Sequence, residues 1–201
     1  MKALLLVDIQ NDFLPGGALG VKGGDEIIPV VNELLKQDFD VIVASKDWHP
    51  SNHISFAENH GKEPGEVIEV EGGEQELWPV HCVQDSLGAQ FAPDLQTAAI
   101  EKVFYKGVDT AVDSYSAFFD NNRQRSTGLS DYLRSRGVES LVIAGLATDY
   151  CVKFSVIDAI DEGFDVSVIV EGCRGVNLHP GDVDKALEIM RSAGAEIIDS
   201  E

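Results

Sequence analysis

Four short apolar runs, at residues 3–7, 41–44, 141–146 and 166–170, constrain this chain more than anything else in it. Each is β-branched or leucine-rich, and none alternates strictly between apolar and polar residues. A strand with one face in water alternates; a strand covered on both faces does not. The runs therefore predict parallel strands inside a buried sheet. The segments between them carry helical spacing. Asp25 can cap a helix bearing Ile27, Ile28, Val31, Leu34 and Leu35. Thr127 or Ser130 can open a second, with Leu129 and Leu133 and a stop at Gly137. Asp149 can open a third through Val152, Val156, Ile157 and Ile160 to Gly163. Asp182 opens the last, with Val183, Leu187 and Met190 before Gly194. Strands alternating with helices predict a three-layer α/β/α fold around a mainly parallel, Rossmann-like sheet of about six strands. Residues 101–106 and 195–199 supply the fifth and sixth strands, the latter at an edge. Residues 51–95 fit neither period and read as a long elaborated loop. No repeat or linker divides the chain, so one domain over residues 1–201 is expected.

Charge and cysteine usage narrow the partners. Fifteen basic against 35 acidic residues give a net charge of −20. Such a surface repels nucleic acid and anionic membrane, because phosphate binding depends on Lys and Arg. Cys82, Cys151 and Cys173 are odd in number and widely spaced, which is no disulfide framework and fits a reducing, cytoplasmic setting. The apolar start stops at Asp8, short of a signal peptide, and no run is long enough for a membrane helix.

In open parallel sheets ligands bind outside the carboxyl ends of the strands, so the residues ending each run matter most. They are Asp8; Ser45-Lys46-Asp47-Trp48-His49; Tyr105-Lys106-Gly107; and Leu146-Ala147-Thr148-Asp149-Tyr150-Cys151. Cys151 falls at a predicted helix start, where first-turn N–H groups favour a thiolate and can hold an oxyanion. Cys82 and Cys173 read as small buried apolar residues. A thiol nucleophile needs a base, and no histidine stands beside Cys151 in the sequence. Asp8 can serve, paired with Lys106 against desolvation. The plainer alternatives are a loop-capping carboxylate for Asp8 and a surface lysine for Lys106. Asp47 and His49, two apart in an extended segment, point to one side. His81 from a distant loop would complete a carboxylate-plus-two-imidazole set for Zn²⁺, Fe²⁺ or Mn²⁺. His53 is either a fourth ligand or a pocket residue, and His60 reads as exposed.

These stretches, with Trp78-Pro79-Val80-His81-Cys82, are similar in order and content to the nicotinamidase/pyrazinamidase branch of the isochorismatase-like cysteine hydrolases. The resemblance extends over about three-quarters of the chain. It implies Cys151 as nucleophile, Asp8 as its base and Lys106 as third member of a triad. It implies Asp47, His49 and His81 as ligands of one divalent metal, Zn²⁺ first, with His53 a ligand in only some relatives. Phe13 and Trp78 fall where relatives line an aromatic pocket, and Tyr115 is assigned to the same wall. The Leu146–Ala147 bond matches a cis position, with the N–H groups of Ala147 and Cys151 as oxyanion hole. The implied substrate is nicotinamide, with pyrazinamide also accepted, in salvage of pyridine nucleotides. Isochorismatases and carbamoyl-amide hydrolases of the superfamily do without the metal set, which ranks those substrates second. A non-catalytic ligand-binding domain and a redox-sensing thiol protein are the readings from other classes. A homo-oligomer is left open.

Overall fold

In the computed structural model, which describes residues 1–199, the chain alternates strands and helices. Ser200 and Glu201, the last two residues of the expected domain, lie outside the described residues. The order is β1 (Lys2–Val7), α1 (Ile27–Leu34), β2 (Val41–Asp47), β3 (Val67–Val70), β4 (Gly73–Glu76), β5 (Lys102–Lys106), α2 (Leu129–Ser135), β6 (Ser140–Leu146), α3 (Lys153–Asp161), β7 (Asp165–Arg174), α4 (Asp182–Ala193) and β8 (Glu196–Ile198). Six strands form one sheet in the order β5-β2-β1-β6-β7-β8. Every pairing in it is parallel. The expected runs all lie in these strands. β7 outlasts its run because, after a register shift, Cys173 and Arg174 pair with Gly145 and Leu146.

The continuous apolar runs cover both faces of the sheet. Ala3, Leu5 and Val7 pack with α2, α3 and α4, whereas Leu4 and Leu6 pack with α1 and with Cys82, Ala89, Ala92 and Leu95. Leu4, Leu5 and Leu6 are wholly buried, each contributing about 1.5–3 kcal/mol. After β1 the chain winds outward through β2 to β5, then crosses back to β6 and winds the other way. The crossing puts the switch point between β1 and β6, where such sheets open a crevice.

Two of the four helix starts, those expected at Asp25 and Asp149, differ from expectation. Asp25 sits inside a short 3₁₀ turn (Gly24–Glu26) ahead of α1 and makes no side-chain cap. α3 is preceded by a wide π turn, Thr148–Val152. Asp149 within it accepts the N–H groups of Val176 and Asn177 at 2.9 and 2.7 Å, so it fixes a distant loop rather than a helix end. Thr127 does accept the N–H of Leu129, while Ser130 lies inside α2 and donates to Glu162. Asp182 is the first residue of α4, entered from Gly181, and its carboxylate accepts the N–H of His179. The stretch 51–95 is not all loop, because β3 and β4 form an antiparallel hairpin there. Its faces are largely exposed and acidic, so no hydrophobic periodicity marks it.

Candidate active site

Strand tips on both sides of the switch point deliver the ionisable residues. The chain leaves β1 at Asp8 with φ 50°, a left-handed conformation that Asp tolerates better than most residues. The bend turns a wholly buried carboxylate toward β5 and β6. Asp8 Oδ1 accepts Ser45 Oγ at 2.7 Å, and Oδ2 lies 3.0 Å from Lys106 Nζ. Lys106 Nζ also donates to Ser114 O at 2.8 Å and points at Cys151 Sγ, 3.3 Å away. It makes its shortest contact with Asp47 Oδ1. The lysine therefore serves two carboxylates, not Asp8 alone. A buried ion left without its partner is strongly destabilising, so these groups depend on one another. Burial by itself lowers the Lys106 pKa. Asp47 and Asp8 outweigh burial and hold its pKa well above the ordinary value.

Burial acts differently on the other two expected triad members. It raises Asp8 to about 6, more than Lys106 lowers it. It pushes the Cys151 thiol well above its usual range, again against the pull of Lys106. Burial thus favours the neutral thiol, opposing the thiolate that a helix start would favour. The reason is local. Cys151 lies inside the π turn, buried, with the carboxylates of Asp8 and Asp47 close by; one oxygen of each and Sγ all fall within 4.8 Å.

The side of Asp47 away from Lys106 faces two imidazoles. Its Oδ2 lies 3.6 Å from His49 Nε2 and 3.8 Å from His81 Nε2. Each ring is turned by a backbone carbonyl at its other nitrogen, His49 Nδ1 on Gly107 O at 2.9 Å and His81 Nδ1 on Pro79 O at 2.7 Å. An Nδ1–H that donates to a carbonyl aims Nε2 at Asp47, the usual ring orientation around metal-bound histidine; against burial, Asp47 raises the His49 pKa above its ordinary value. Only glycine fits at 107, where φ is 62° and a Cβ would come 2.3 Å from the His49 ring. Burial, then the charge of His49, depresses His81 to about 4, keeping it a free donor near neutrality. Asp47 stays ionised, because Lys106, His49 and His81 outweigh burial. Asp47, His49 and His81 together fit a divalent metal.

His53 stands beside this group without facing Asp47. Its ring lies 4.1 Å from that of His49, Nδ1 meets Ser55 Oγ at 2.7 Å, and Nε2 is buried without a hydrogen-bond partner. Asp113 Oδ1 is 3.9 Å from that nitrogen. His60 is exposed, as expected. A pocket of about 370 Å³, mouth included, joins the two groups. Phe13, Trp78 and Tyr115 line it with Asp47, His49, His81, Ala147 and Cys151. The Leu146–Ala147 peptide at its edge is cis. Trp78 Nε1 donates to Tyr115 Oη at 3.1 Å, fixing both rings.

Several site residues carried no signal in the sequence. Tyr150 packs edge-on to Trp78 at 4.8 Å and donates to Glu76 on the hairpin at 2.7 Å. Asp113 and Ser114 enter the pocket from a loop without periodicity. Gln10, two residues past Asp8, holds the backbone of Asp47. All four are polar or half-polar residues of a kind common on surfaces, and only the sheet order brings them here.

Fold, crevice and ionisable groups define a class. The isochorismatase domain model matches residues 2–201, and the chain belongs to that family. Within it, the chain is 51% identical to a nicotinamidase of Escherichia coli K12, over 98% of this chain and 93% of that one. A solved nicotinamidase/pyrazinamidase of Acinetobacter baumanii superposes with a TM-score of 0.95 at 43% identity, covering 98% of this chain and 95% of the other. A pyrazinamidase of Pyrococcus horikoshii solved in complex with zinc gives a TM-score of 0.80 at 39% identity, with 99% of both chains covered.

Proposed function

We infer that the chain is an amidohydrolase converting nicotinamide to nicotinate and ammonia. The observation that carries the reading is the Lys106 ammonium set among Asp8, Asp47 and Cys151 Sγ, beside an aromatic pocket with a metal-type donor set. Full-length likeness to nicotinamidases supports it.

Asp47, His49 and His81 would hold the ion, and we assign it as zinc, in line with the relative solved with zinc. When bound, the ion supplies a Lewis-acidic anchor for the pyridine nitrogen. Phe13, Trp78 and Tyr115 offer aromatic surface to a flat ring. With the ring so placed, the carboxamide carbon faces Cys151. Burial favours the neutral thiol, so attack requires a base. Asp8, ionised above about pH 6, takes the proton from Sγ as sulfur bonds to the carbonyl carbon. The negative charge moves to the amide oxygen, where the N–H groups of Ala147 and Cys151 receive it. Lys106 stays protonated throughout and limits the accumulation of negative charge. An amide nitrogen leaves only when protonated, so Asp8 returns the proton to nitrogen. The C–N bond breaks, ammonia departs, and a Cys151 thioester remains. Asp8, a base again, takes a proton from water as it attacks the thioester; nicotinate leaves, and the proton returns to Sγ.

Pyrazinamide presents the same ring nitrogen and carboxamide, and is an expected second substrate. The three buried free thiols suit a reducing, cytoplasmic setting. Among the described residues no helix is long and apolar enough to cross a membrane.

The test is ammonia release from nicotinamide by zinc-loaded protein, with Cys151→Ala beside it. Release by the wild type and a loss of about 10⁴-fold or more in the variant is the expected result. No release by the wild type would overturn the substrate, and substantial release by Cys151→Ala would overturn the nucleophile.

A further inference from the structure

Gln10 follows the end of β1 by three residues, yet no chemical step uses it. Its side chain is wholly buried and every bond it makes is to backbone. Oε1 accepts the N–H of Asp47 at 2.9 Å, and Nε2 donates to the carbonyl of the same residue at 2.8 Å. Nε2 also donates to Ala89 O at 3.1 Å.

The pairing with Asp47 follows from where β1 ends. Along β2, residues Val43, Ser45 and Asp47 turn their peptide groups toward β1. Val43 is matched with Leu5 in the ladder, and Ser45 O still accepts the N–H of Asp8 at 3.3 Å. Asp47 comes one step later. By then the chain has left the sheet at Asp8, with φ 50°. Asp47 would face the crevice with an unpaired N–H and C=O, each costly when buried. The Gln10 amide takes the place of the absent strand and meets both groups. On the other side β5 completes the ladder, with Asp47 matched to Lys106.

Asp47 needs this hold because its carboxylate is used twice. Oδ1 is on Lys106, and Oδ2 faces His49 and His81. A shift in the Asp47 backbone would disturb both. The bond to Ala89 ties in the segment that follows His81, and Ala92 donates to Ile9 O at 2.9 Å beside it. Gln10 thus joins the tips of β1 and β2 to the segment that supplies the third metal-type donor.

We propose that Gln10 is a positioning residue which, by replacing the missing end of β1, holds Asp47 in register for the metal and for Lys106. The proposal rests on the reading of Asp47, His49 and His81 as a metal site.

The test is a zinc titration in competition with a chromophoric chelator, without substrate. It compares wild type, Gln10→Met, and Leu133→Ala, which opens a cavity under α2 away from the site. Partners one shell beyond a metal ligand typically control affinity by about 10–100-fold. Gln10→Met should therefore bind zinc at least about tenfold more weakly. Leu133→Ala should lose thermal stability with affinity unchanged. If Gln10→Met does not fold, Gln10→Asn is read in the same titration. It keeps an amide but falls one methylene short of Asp47, and the same loss is expected. Wild-type affinity in the folded variant, with stability alone reduced, would overturn the positioning role and leave the metal site standing. No zinc binding by the wild type would overturn the metal site, and this proposal with it.

Discussion

Cys151 and Cys173 lie in the same apolar core, each following or ending a neighbouring strand, and both are buried free thiols. Their surroundings differ in one respect. Cys173 has backbone and core around it; burial pushes its thiol up to about 12, with only small opposing pulls from a backbone bond and Arg174. Cys151 is also raised by burial, but it faces the Lys106 ammonium at 3.3 Å, with the carboxylates of Asp8 and Asp47 close by. On the proposed reading of Cys151 as nucleophile, exposure does not set it apart from Cys173. What sets it apart is a cation that can stabilise negative charge and a carboxylate raised toward neutrality, both delivered by other strands.

Removing the cation is the strongest way to break the contrast. Lys106→Met leaves Asp8 and Asp47 without their shared counter-ion and makes the setting of Cys151 resemble that of Cys173. Loss of one preorganised electrostatic group costs about 10²–10³ in turnover, and a loss of at least that size is expected here. Single-turnover thioester formation measures it. A variant within tenfold of wild type, its folding confirmed by circular dichroism, would show that Lys106 is dispensable and that the contrast lies elsewhere.

The base sharpens the comparison through pH. In the proposed mechanism Asp8, raised to about 6, takes the thiol proton only when it is ionised. Above pH 6 the base is available; below it, each further pH unit removes about tenfold of the competent form. So kcat/KM should be level from about pH 7 to 8 and fall to roughly a tenth by pH 5. A profile flat down to pH 5 would remove Asp8 as the base. Metal content is checked at each pH, because loss of an ion from the proposed site at Asp47, His49 and His81 would also lower activity.

Strand-borne features of this site were legible in the sequence, while features depending on strand order were not. Asp8, Asp47, Lys106 and Cys151 each stand where an apolar run ends, and a parallel sheet collects such ends on one rim. The double role of Lys106 was hidden because it requires β5 beside β2 and β2 beside β1. Gln10 was hidden for a related reason: its task arises only because β1 stops two residues before β2 does. The helix starts misled in another way. Asp182 opens α4 as its sequence suggests, but Asp25 lies in a 3₁₀ turn ahead of its helix, and the Asp149 carboxylate is drawn to backbone N–H groups of a distant loop. The β3–β4 hairpin escaped because little of it is buried.

The smallest expected effect concerns Cys173 itself. If partners and not burial confer reactivity, Cys173→Ala should keep turnover within about twofold of wild type and cost about 1 kcal/mol for the sulfur removed from a packed core. Thermal melts and ammonia release from one preparation separate the two quantities. The site is close enough to make this a real test, because Cys173 pairs in the sheet with Gly145, whose own neighbour on the other side is Val7. A Cβ at Gly145 would meet Val7 O at 2.1 Å, so β1 and β6 have little room to shift there. A tenfold fall in turnover with stability unchanged would mean that Cys173 transmits its packing through Gly145 to the tip carrying Asp8. The two thiols would then belong to one functional unit, and the contrast between them would fail.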